Sequence, residues 1–359
     1  MKNKILTILG TRPELIKMFP VVKKLDKHFN NKLIWSGQHY DFELVENIFK
    51  DVSLRKPNQI IKINKKKNNF FQLQEKIYSI IKKSKPKAIV YHGDTFTTLA
   101  TSLVSNFFFP DITRIHVEGG YRSRDENQIE EKARKASDQL SNIIFTQRLE
   151  DKKNLYNENI KKNVYVVGNS IYESVQNILK NLNKKKIKEK YNFLIRKKFI
   201  FTTIHRAENV ENKIRFIKIL RIINDLSKEN LVFFPIHPRT KKKIFDLKIK
   251  LNSNVILNSP INYSETIFLL SKCLFCFTDS GGLQEESVIL KKRCLIPSNK
   301  TPHSYYLHKY ANNLIQIDNK NYIPRLKMFR NSMNKNIIKS FYHKKNTSSA
   351  IIKILKKKL

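Results

Sequence analysis

Three carboxylates in the first half of the sequence stand where they could act as general acids and bases. Asp94 comes just after the apolar run at residues 87–92, and Glu118 comes directly after Thr113–Val117. Glu130 opens the helical stretch that follows. Carboxylates are among the side chains that proteins use for general acid/base chemistry. A lone Asp94 also fits the capping of a helix, so the hypothesis of proton-transfer chemistry depends on the whole set.

Groups suited to binding a diphosphate occur in both halves of the sequence. Residues 280–282, Ser-Gly-Gly, follow an apolar run and start a helix, whose unpaired N–H groups and dipole favour an anion. A glutamate inside that helix, at 285 or 286, can reach back to a ribose hydroxyl. Further cationic candidates lie at the ends of other apolar runs: Arg12, Lys17, His205, Arg206 and His237. The turn that contains Arg12 also fits a purely structural role.

These residues need a scaffold that brings strand ends together, and the spacing of the apolar runs predicts one. The predicted strands are residues 4–9, 32–36, 87–92, 113–117, 143–146 and 164–167 in the first half, and 199–204, 231–236, 254–257, 274–278, 293–296 and 314–317 in the second. Helical stretches separate them, which is typical of parallel sheets covered by helices. Ligands of such sheets bind at the carboxyl ends of the strands, where the candidate residues lie.

The alternation predicts an α/β protein of two similar domains that face each other across a cleft. We expect residues 1–168 to form a domain that carries the acid/base carboxylates, and residues 169–335 to form a domain that binds the anionic part of a ligand. Residues 336–359 end in a basic helix, which we expect to pack back on the N-terminal domain.

Composition narrows the class of protein. The 359 residues are 40% hydrophobic, enough for two cores, and no apolar run approaches the roughly 18 to 20 residues of a membrane-spanning helix. The N-terminus does not read as a secretory signal. We therefore expect a cytoplasmic protein without membrane insertion. Cys273, Cys276 and Cys294 indicate a reducing compartment, and their apolar surroundings favour core cysteines over metal ligands or a redox pair.

The formal net charge of +40, from 70 Lys and Arg against 30 Asp and Glu, raises nucleic-acid binding as an alternative. The lysines are spread along the whole chain together with many Asn and Ile, a bias that A/T-rich coding produces. We therefore favour compositional drift and expect no specific nucleic-acid partner, although such a field also suits an anionic small substrate.

The motifs, taken in order, resemble those of the non-hydrolysing UDP-N-acetylglucosamine 2-epimerases. The matching segments are GTRPE at 10–14 with Lys17, GQH at 37–39, HGDT at 92–95, HVE at 116–118, Glu130-Glu131 with Arg134 and Asp138, GN at 168–169, HR and EN at 205–209, HPRT at 237–240 and TDSGGLQEE at 278–286. The resemblance implies a fold like that of the GT-B glycosyltransferases, with two Rossmann-like domains and a UDP-sugar in the cleft between them. It also implies that the protein is a homodimer and that its product is a precursor for surface polysaccharide. The reaction of that family needs neither a metal nor nicotinamide.

The activity implied is epimerisation at C2 of UDP-N-acetylglucosamine (UDP-GlcNAc) by anti elimination of UDP and re-addition. The resemblance gives Asp94, Glu118 and Glu130 as acid/base candidates, with their individual roles open, and His205 as a catalytic group at the departing UDP. The substrate-binding residues it implies are Arg12, Lys17, Gln38, Arg134, Arg206, His237, Tyr263, Ser280, Gly281, Gly282 and Glu286.

Several positions depart from the pattern of that family. Gly119 stands where an alanine is usual, as in the hydrolysing relatives that release UDP and free N-acetylmannosamine, and residues 299–303 lack an expected arginine. Asp41 and Ala207 replace a Gln and an Arg of an activator site, so we expect no strong activation by UDP-GlcNAc. A modified UDP-sugar substrate, a hydrolysing epimerase and a GT-B glycosyltransferase therefore stay open as alternatives.

Overall fold

A computed structural model describes residues 2–37, 42–63, 69–123, 126–298, 312–315, 322–331 and 346–359. The chain divides into two compact units, Met1–Ser174 with Tyr342–Leu359, and Val175–Phe341. Each unit is built on one parallel sheet covered by helices, so the predicted α/β class is confirmed. None of the described helices has the length and apolar character needed to cross a membrane.

The first unit contains a sheet with strand order β3-β2-β1-β4-β5-β6-β7, and every described pairing in it is parallel. Its strands are β1 (Lys4–Leu9), β2 (Asn30–Trp35), β3 (Gln59–Ile60), β4 (Ala88–His92), β5 (Thr113–Val117), β6 (Ile143–Thr146) and β7 (Val164–Val166). The order reverses between β1 and β4, which creates the crevice where ligands of such sheets bind.

The helices of this part of the chain are α1 (Arg12–His28), α2 (Phe42–Asp51), α3 (Asn69–Ser84), α4 (Phe96–Phe108), α5 (Ile129–Gln139), α6 (Leu149–Asn157) and α7 (Ser170–Asn181). Helix α1 begins at a capping box, because Thr11 accepts from the Glu14 N–H while Glu14 accepts from the Thr11 N–H.

The second unit repeats the design with strand order β10-β9-β8-β11-β12-β13, again parallel. Its strands are β8 (Phe199–Thr203), β9 (Leu231–Pro235), β10 (Val255–Asn258), β11 (Phe275–Thr278), β12 (Arg293–Ile296) and β13 (Asn312–Leu314). The reversal here falls between β8 and β11. Its helices are α8 (Lys184–Lys190), α9 (Asn192–Ile195), α10 (Ala207–Val210), α11 (Lys213–Ser227), α12 (Pro238–Asp246), α13 (Tyr263–Lys272), α14 (Gly281–Ile289) and α15 (Ile323–Asn331).

The last helix, α16 (Thr347–Lys358), packs against α1 in the first unit. Ile351 and Leu355 are fully buried on its inner face, and the Asn3 side chain donates to the carbonyl of Leu359 over 3.0 Å. The basic residues Lys356–Lys358 fall in its last turn, where cations favour the helix dipole.

Sequence patterns located the strands well, with two corrections. β3 was not predicted, because its two exposed residues carry no apolar run. The strand predicted at 314–317 begins earlier, at Asn312, and ends at Leu314. The three cysteines are free and buried in the second unit, and burial raises the pKa of Cys273 and Cys276, as expected for core thiols.

Candidate active site

A cavity of about 390 Å³ opens at the carboxyl ends of β1, β4 and β5, beside the reversal of strand order in the first unit. Four of the residues predicted from the sequence line it: Lys17, Asp94, Glu118 and Glu130. Glu14 and His92 line it as well. The structure therefore brings all three acid/base candidates to one site.

Glu118 is fixed at this cavity by its backbone and by a cation. It has a φ of 71°, in the left-handed region that a non-glycine residue rarely occupies. Its two carboxylate oxygens accept from Lys17 Nζ at 2.7 and 2.9 Å, and His92 Nε2 lies 3.1 Å from Oε2. Burial raises the pKa of Glu118, but Lys17 and His92 lower it more, so it lies well below its usual range. Glu118 is therefore ionised at neutral pH.

Asp94 and Glu130 lie on the open side of the cavity. The Asp94 carboxylate is 34% exposed and pairs with Arg134 Nη2, whose Nη1 donates to Glu131. Glu131 is fully buried and also accepts from the N–H and hydroxyl of Ser123, at 2.9 and 3.0 Å. Arg134 thus holds Asp94 in place, whereas Glu130 is exposed at the start of α5.

Glu14 also lines the cavity, but its oxygens are already occupied. It accepts from the N–H groups of Gly10 and Thr11 at 2.8 and 2.7 Å and from the Thr95 hydroxyl at 2.9 Å. Burial raises its pKa, and these donors with His92 offset part of that rise. Glu14 therefore holds the turn between β1 and α1 together, and Arg12 is exposed at the first position of α1.

A further buried carboxylate, Asp138, holds the loops that line the cavity. Asp138 accepts from His116 Nδ1 at 2.8 Å and from the Gly120 N–H at 3.0 Å, and Arg122 pairs with it at 2.8 Å. The other nitrogen of His116 lies 2.8 Å from the carbonyl oxygen of Gly93. Burial raises the pKa of Asp138, but His116 and Arg122 lower it more. This network fixes the loops that carry Asp94 and Glu118.

The second unit has a separate cluster at the end of β8 and β11, where its strand order reverses. Asp279 is buried and accepts from the His205 N–H at 3.1 Å, the Arg206 N–H at 3.0 Å and Asn209 Nδ2 at 2.9 Å. His205 Nδ1 lies 3.2 Å from Asp279 Oδ1, and the imidazole is exposed. Burial raises the pKa of Asp279, but these donors lower it more. Asp279 thereby fixes the loop that presents His205.

Ser280 caps the adjacent helix α14, and its hydroxyl accepts from the Leu283 N–H. Gly281 and Gly282 form the first turn of that helix, where N–H groups have no intrahelical acceptor. Within the same unit, Tyr263 donates to Glu286 Oε1 at 2.9 Å, and both side chains are buried. His237 follows β9 at the same edge of the sheet and is exposed.

Some predictions lie outside this description, and some residues of the site were not predicted. Gln38, Asp41 and residues 299–303 lie outside the described residues. His92, Asp138 and Asp279 belong to sequence motifs but were not among the predicted site residues, because nothing in a strand-end motif says which side chain turns inward. In the described part of the chain, no group of three or more His, Cys, Asp or Glu could hold a metal ion.

Comparison with known proteins identifies the family. The family model described as UDP-N-acetylglucosamine 2-epimerase matches residues 23–356. The chain belongs to the UDP-N-acetylglucosamine 2-epimerase family. A homolog of that epimerase from Methanococcus maripaludis is 38% identical over 307 residues, which are 83% of this chain and 84% of the relative.

Solved structures of the epimerase family share the fold over the full length. The Methanocaldococcus jannaschii UDP-GlcNAc 2-epimerase, in complex with UDP-GlcNAc and UDP, is 31% identical with a TM-score of 0.87, covering 99% of each chain. The Neisseria meningitidis enzyme bound to UDP-GlcNAc is 29% identical with a TM-score of 0.87, covering 99% of this chain and 100% of that one. The GT-B-like fold class is thus confirmed, and as a member of this family the chain is an epimerase, a carbohydrate isomerase.

Proposed function

We propose that the chain is a non-hydrolysing UDP-GlcNAc 2-epimerase, which interconverts UDP-GlcNAc and UDP-N-acetylmannosamine or acts on a related UDP-2-acetamido sugar. The observation that carries the proposal is the cavity of the first unit, where Asp94, Glu118 and Glu130 meet and Glu118 is held ionised by Lys17. Family membership and relatives that bind UDP-GlcNAc support the choice of substrate.

The carboxylates suit the two proton transfers of such a reaction. One carboxylate removes the C2 proton as the C1–O bond to UDP breaks, which leaves a 2-acetamidoglucal and free UDP. A second acid on the opposite face then delivers a proton to C2 while UDP re-adds at C1, which inverts C2. Glu118 is ionised and fixed after β5, Asp94 follows β4 and Glu130 lies at the start of α5, so three separate segments bring carboxylates to the cavity.

The cluster of the second unit suits the UDP group. The N–H groups of Gly281 and Gly282 at the start of α14 suit a diphosphate, and the His205 imidazole lies on the neighbouring loop that Asp279 holds. Glu286, oriented by Tyr263, can accept a hydrogen bond from a ribose hydroxyl. We propose Arg12, Arg206 and His237 as further ligands of the substrate.

The glycine at position 119 has a local explanation that does not depend on the fate of the product. A Cβ at this position would lie 2.4 Å from Asp138 Oδ1 and 2.4 Å from a methyl of Ile144. Contacts this close do not occur, so a side chain here would displace the Asp138 network. The resemblance of this site to hydrolysing relatives is therefore weak support for hydrolysis.

The test is to incubate the purified chain with UDP-GlcNAc in D₂O and follow the sugar by proton NMR. Deuterium at C2 in a mixture of UDP-GlcNAc and UDP-N-acetylmannosamine is the expected result. UDP with free N-acetylmannosamine would instead identify a hydrolase. Absence of any exchange would move the search to modified UDP-2-acetamido sugars. The Glu118→Gln variant, which cannot accept the proton, is the control and should exchange at least about 100-fold more slowly.

We further propose that the enzyme is a cytoplasmic homodimer that supplies a precursor for surface polysaccharide, as the family resemblance implies. Light scattering after size-exclusion chromatography measures the mass directly. A mass of about one chain, 42.5 kDa, would contradict the dimer.

A further inference from the structure

His92, the last residue of β4, is a buried polar side chain that the roles above leave unexplained. It is 3% exposed and lines the cavity that holds Glu118. Within the described part of the chain, its Nδ1 has no hydrogen-bond partner, and its Nε2 faces Glu118 Oε2 over 3.1 Å. Because buried polar groups are rarely left unsatisfied, a buried imidazole whose other nitrogen is unpartnered points to a function in that cavity.

The neighbours of His92 leave one group with which it can exchange a proton. Glu14 and Lys17 on α1 and Glu118 after β5 surround it, with Asp94 farther along its own loop. The oxygens of Glu14 are occupied by the N–H groups of the β1–α1 turn and by Thr95, and Asp94 is paired with Arg134. Glu118 Oε2, by contrast, lies 3.1 Å from His92 Nε2.

The chemistry of Glu118 calls for a group that takes its proton away. When the Glu118 carboxylate accepts a proton, the neutral acid stands beside the Lys17 ammonium, which favours its ionised form. The proton is therefore unstable on Glu118. A neutral imidazole is the side chain best suited to receive it near neutral pH.

We propose that His92 is a positioning residue that exchanges a proton with Glu118 during epimerisation. When Glu118 has taken a proton from C2, its O–H bond breaks and an N–H bond forms at His92 Nε2, which regenerates the carboxylate and leaves an imidazolium. When Glu118 must act as an acid, the same proton returns from nitrogen to oxygen. This inference rests on the proposed epimerase activity, which the exchange experiment above tests separately.

The test compares His92→Gln and His92→Asn with the wild type in the D₂O exchange assay, between pH 5.5 and 9. Both variants keep a polar side chain, but their amides cannot accept the proton that Glu118 passes on. We expect kcat to fall at least about 10-fold with KM within about twofold, and the acid limb of the kcat profile to move by at least about half a pH unit. His28→Gln, at the far end of α1, is the matched control and should behave as wild type.

Folding and function are separated by two further measurements. The circular dichroism spectrum and UDP affinity report whether each variant is folded. For a folded His92→Ala variant, added imidazole should restore at least about a tenth of the wild-type rate. This rescue should grow with pH, because the fraction of added imidazole that is neutral rises with pH. Variants that keep kcat and the pH profile of the wild type would overturn the role of His92. If the wild type exchanges C2 of neither UDP-GlcNAc nor a modified UDP-2-acetamido sugar, the proposed function fails instead.

Discussion

Replacing Lys17 by methionine tests whether this lysine controls the charge of Glu118. The two side chains are only 13% and 21% exposed and meet at 2.7 and 2.9 Å. Loss of an opposite charge at this distance raises a carboxyl pKa by about 1–3 units, or about 1.4–4 kcal/mol. We expect the acid limb of the pH–rate profile to rise by about 1–3 units, because Glu118 then protonates nearer to neutral pH.

The same variant should also be less stable than the wild type. The lowered pKa of Glu118 determines how this loss of stability depends on pH. The pKa of Glu118 is lowered in the folded state, so the pair stabilises the fold above the unfolded pKa of about 4.3 and loses this contribution as the pH falls further. At pH 7, Lys17→Met leaves a buried carboxylate without its cation and should cost about 3–5 kcal/mol. Around pH 3 the difference between the two proteins should shrink.

Exchange of the C2 hydrogen measured by NMR from pH 3 to 9 gives the rate profile, including the range below the usual carboxyl pKa of about 4.3 in which Glu118 protonates. Urea unfolding at pH 3 and 7 gives the stability. Lys27→Met removes the same charge from the exposed end of α1 and is the matched control. If the acid limbs of Lys17→Met and Lys27→Met coincide, Lys17 does not set the ionisation of Glu118 and the reasoning is wrong.

Three further substitutions test residues that hold the cavity of the first unit and the cluster of the second unit in place. Gly10→Ala would place a Cβ 2.1 Å from the buried Thr97 hydroxyl, so urea unfolding should show a loss of about 1–3 kcal/mol; an unchanged midpoint would contradict this packing. Asp279→Asn removes the negative charge and replaces one of the two acceptor oxygens by an NH₂ donor that faces backbone N–H groups, so calorimetry should show weaker UDP binding with stability lowered by about 1–3 kcal/mol. Tyr263→Phe removes the donor to Glu286, so UDP affinity should fall about two- to tenfold, and unchanged affinity would refute that role.

Sequence patterns predicted the fold because the signals that specify it are local. Buried parallel strands read as short apolar runs, and eleven of the twelve predicted strands lie at observed strands to within a few residues. The edge strand β3 was not predicted, because it consists of only two residues and both are exposed. The shift at β13 arose because Asn312 and Asn313, which begin that strand, give no apolar signal.

The candidate site was predictable only in part, because contacts between distant segments decide which carboxylates remain free for chemistry. Glu14 and Asp279 resemble Glu118 in sequence, since each comes soon after a strand, and Asp138, near the end of α5, belongs to the same set of motifs. In the structure these three accept several hydrogen bonds each from backbone or fixed side chains, and they hold loops in place.

Occupied acceptors make a carboxylate a poor base, because the donors stabilise its ionised form and cover its lone pairs. Glu118 differs in that the groups beside its oxygens are two side chains, the Lys17 ammonium and the His92 imidazole 3.1 Å from Oε2, rather than the backbone N–H groups of a turn. A strand-end motif therefore identifies a set of carboxylates, and the identity of their donors separates those that build the site from those that can move protons within it.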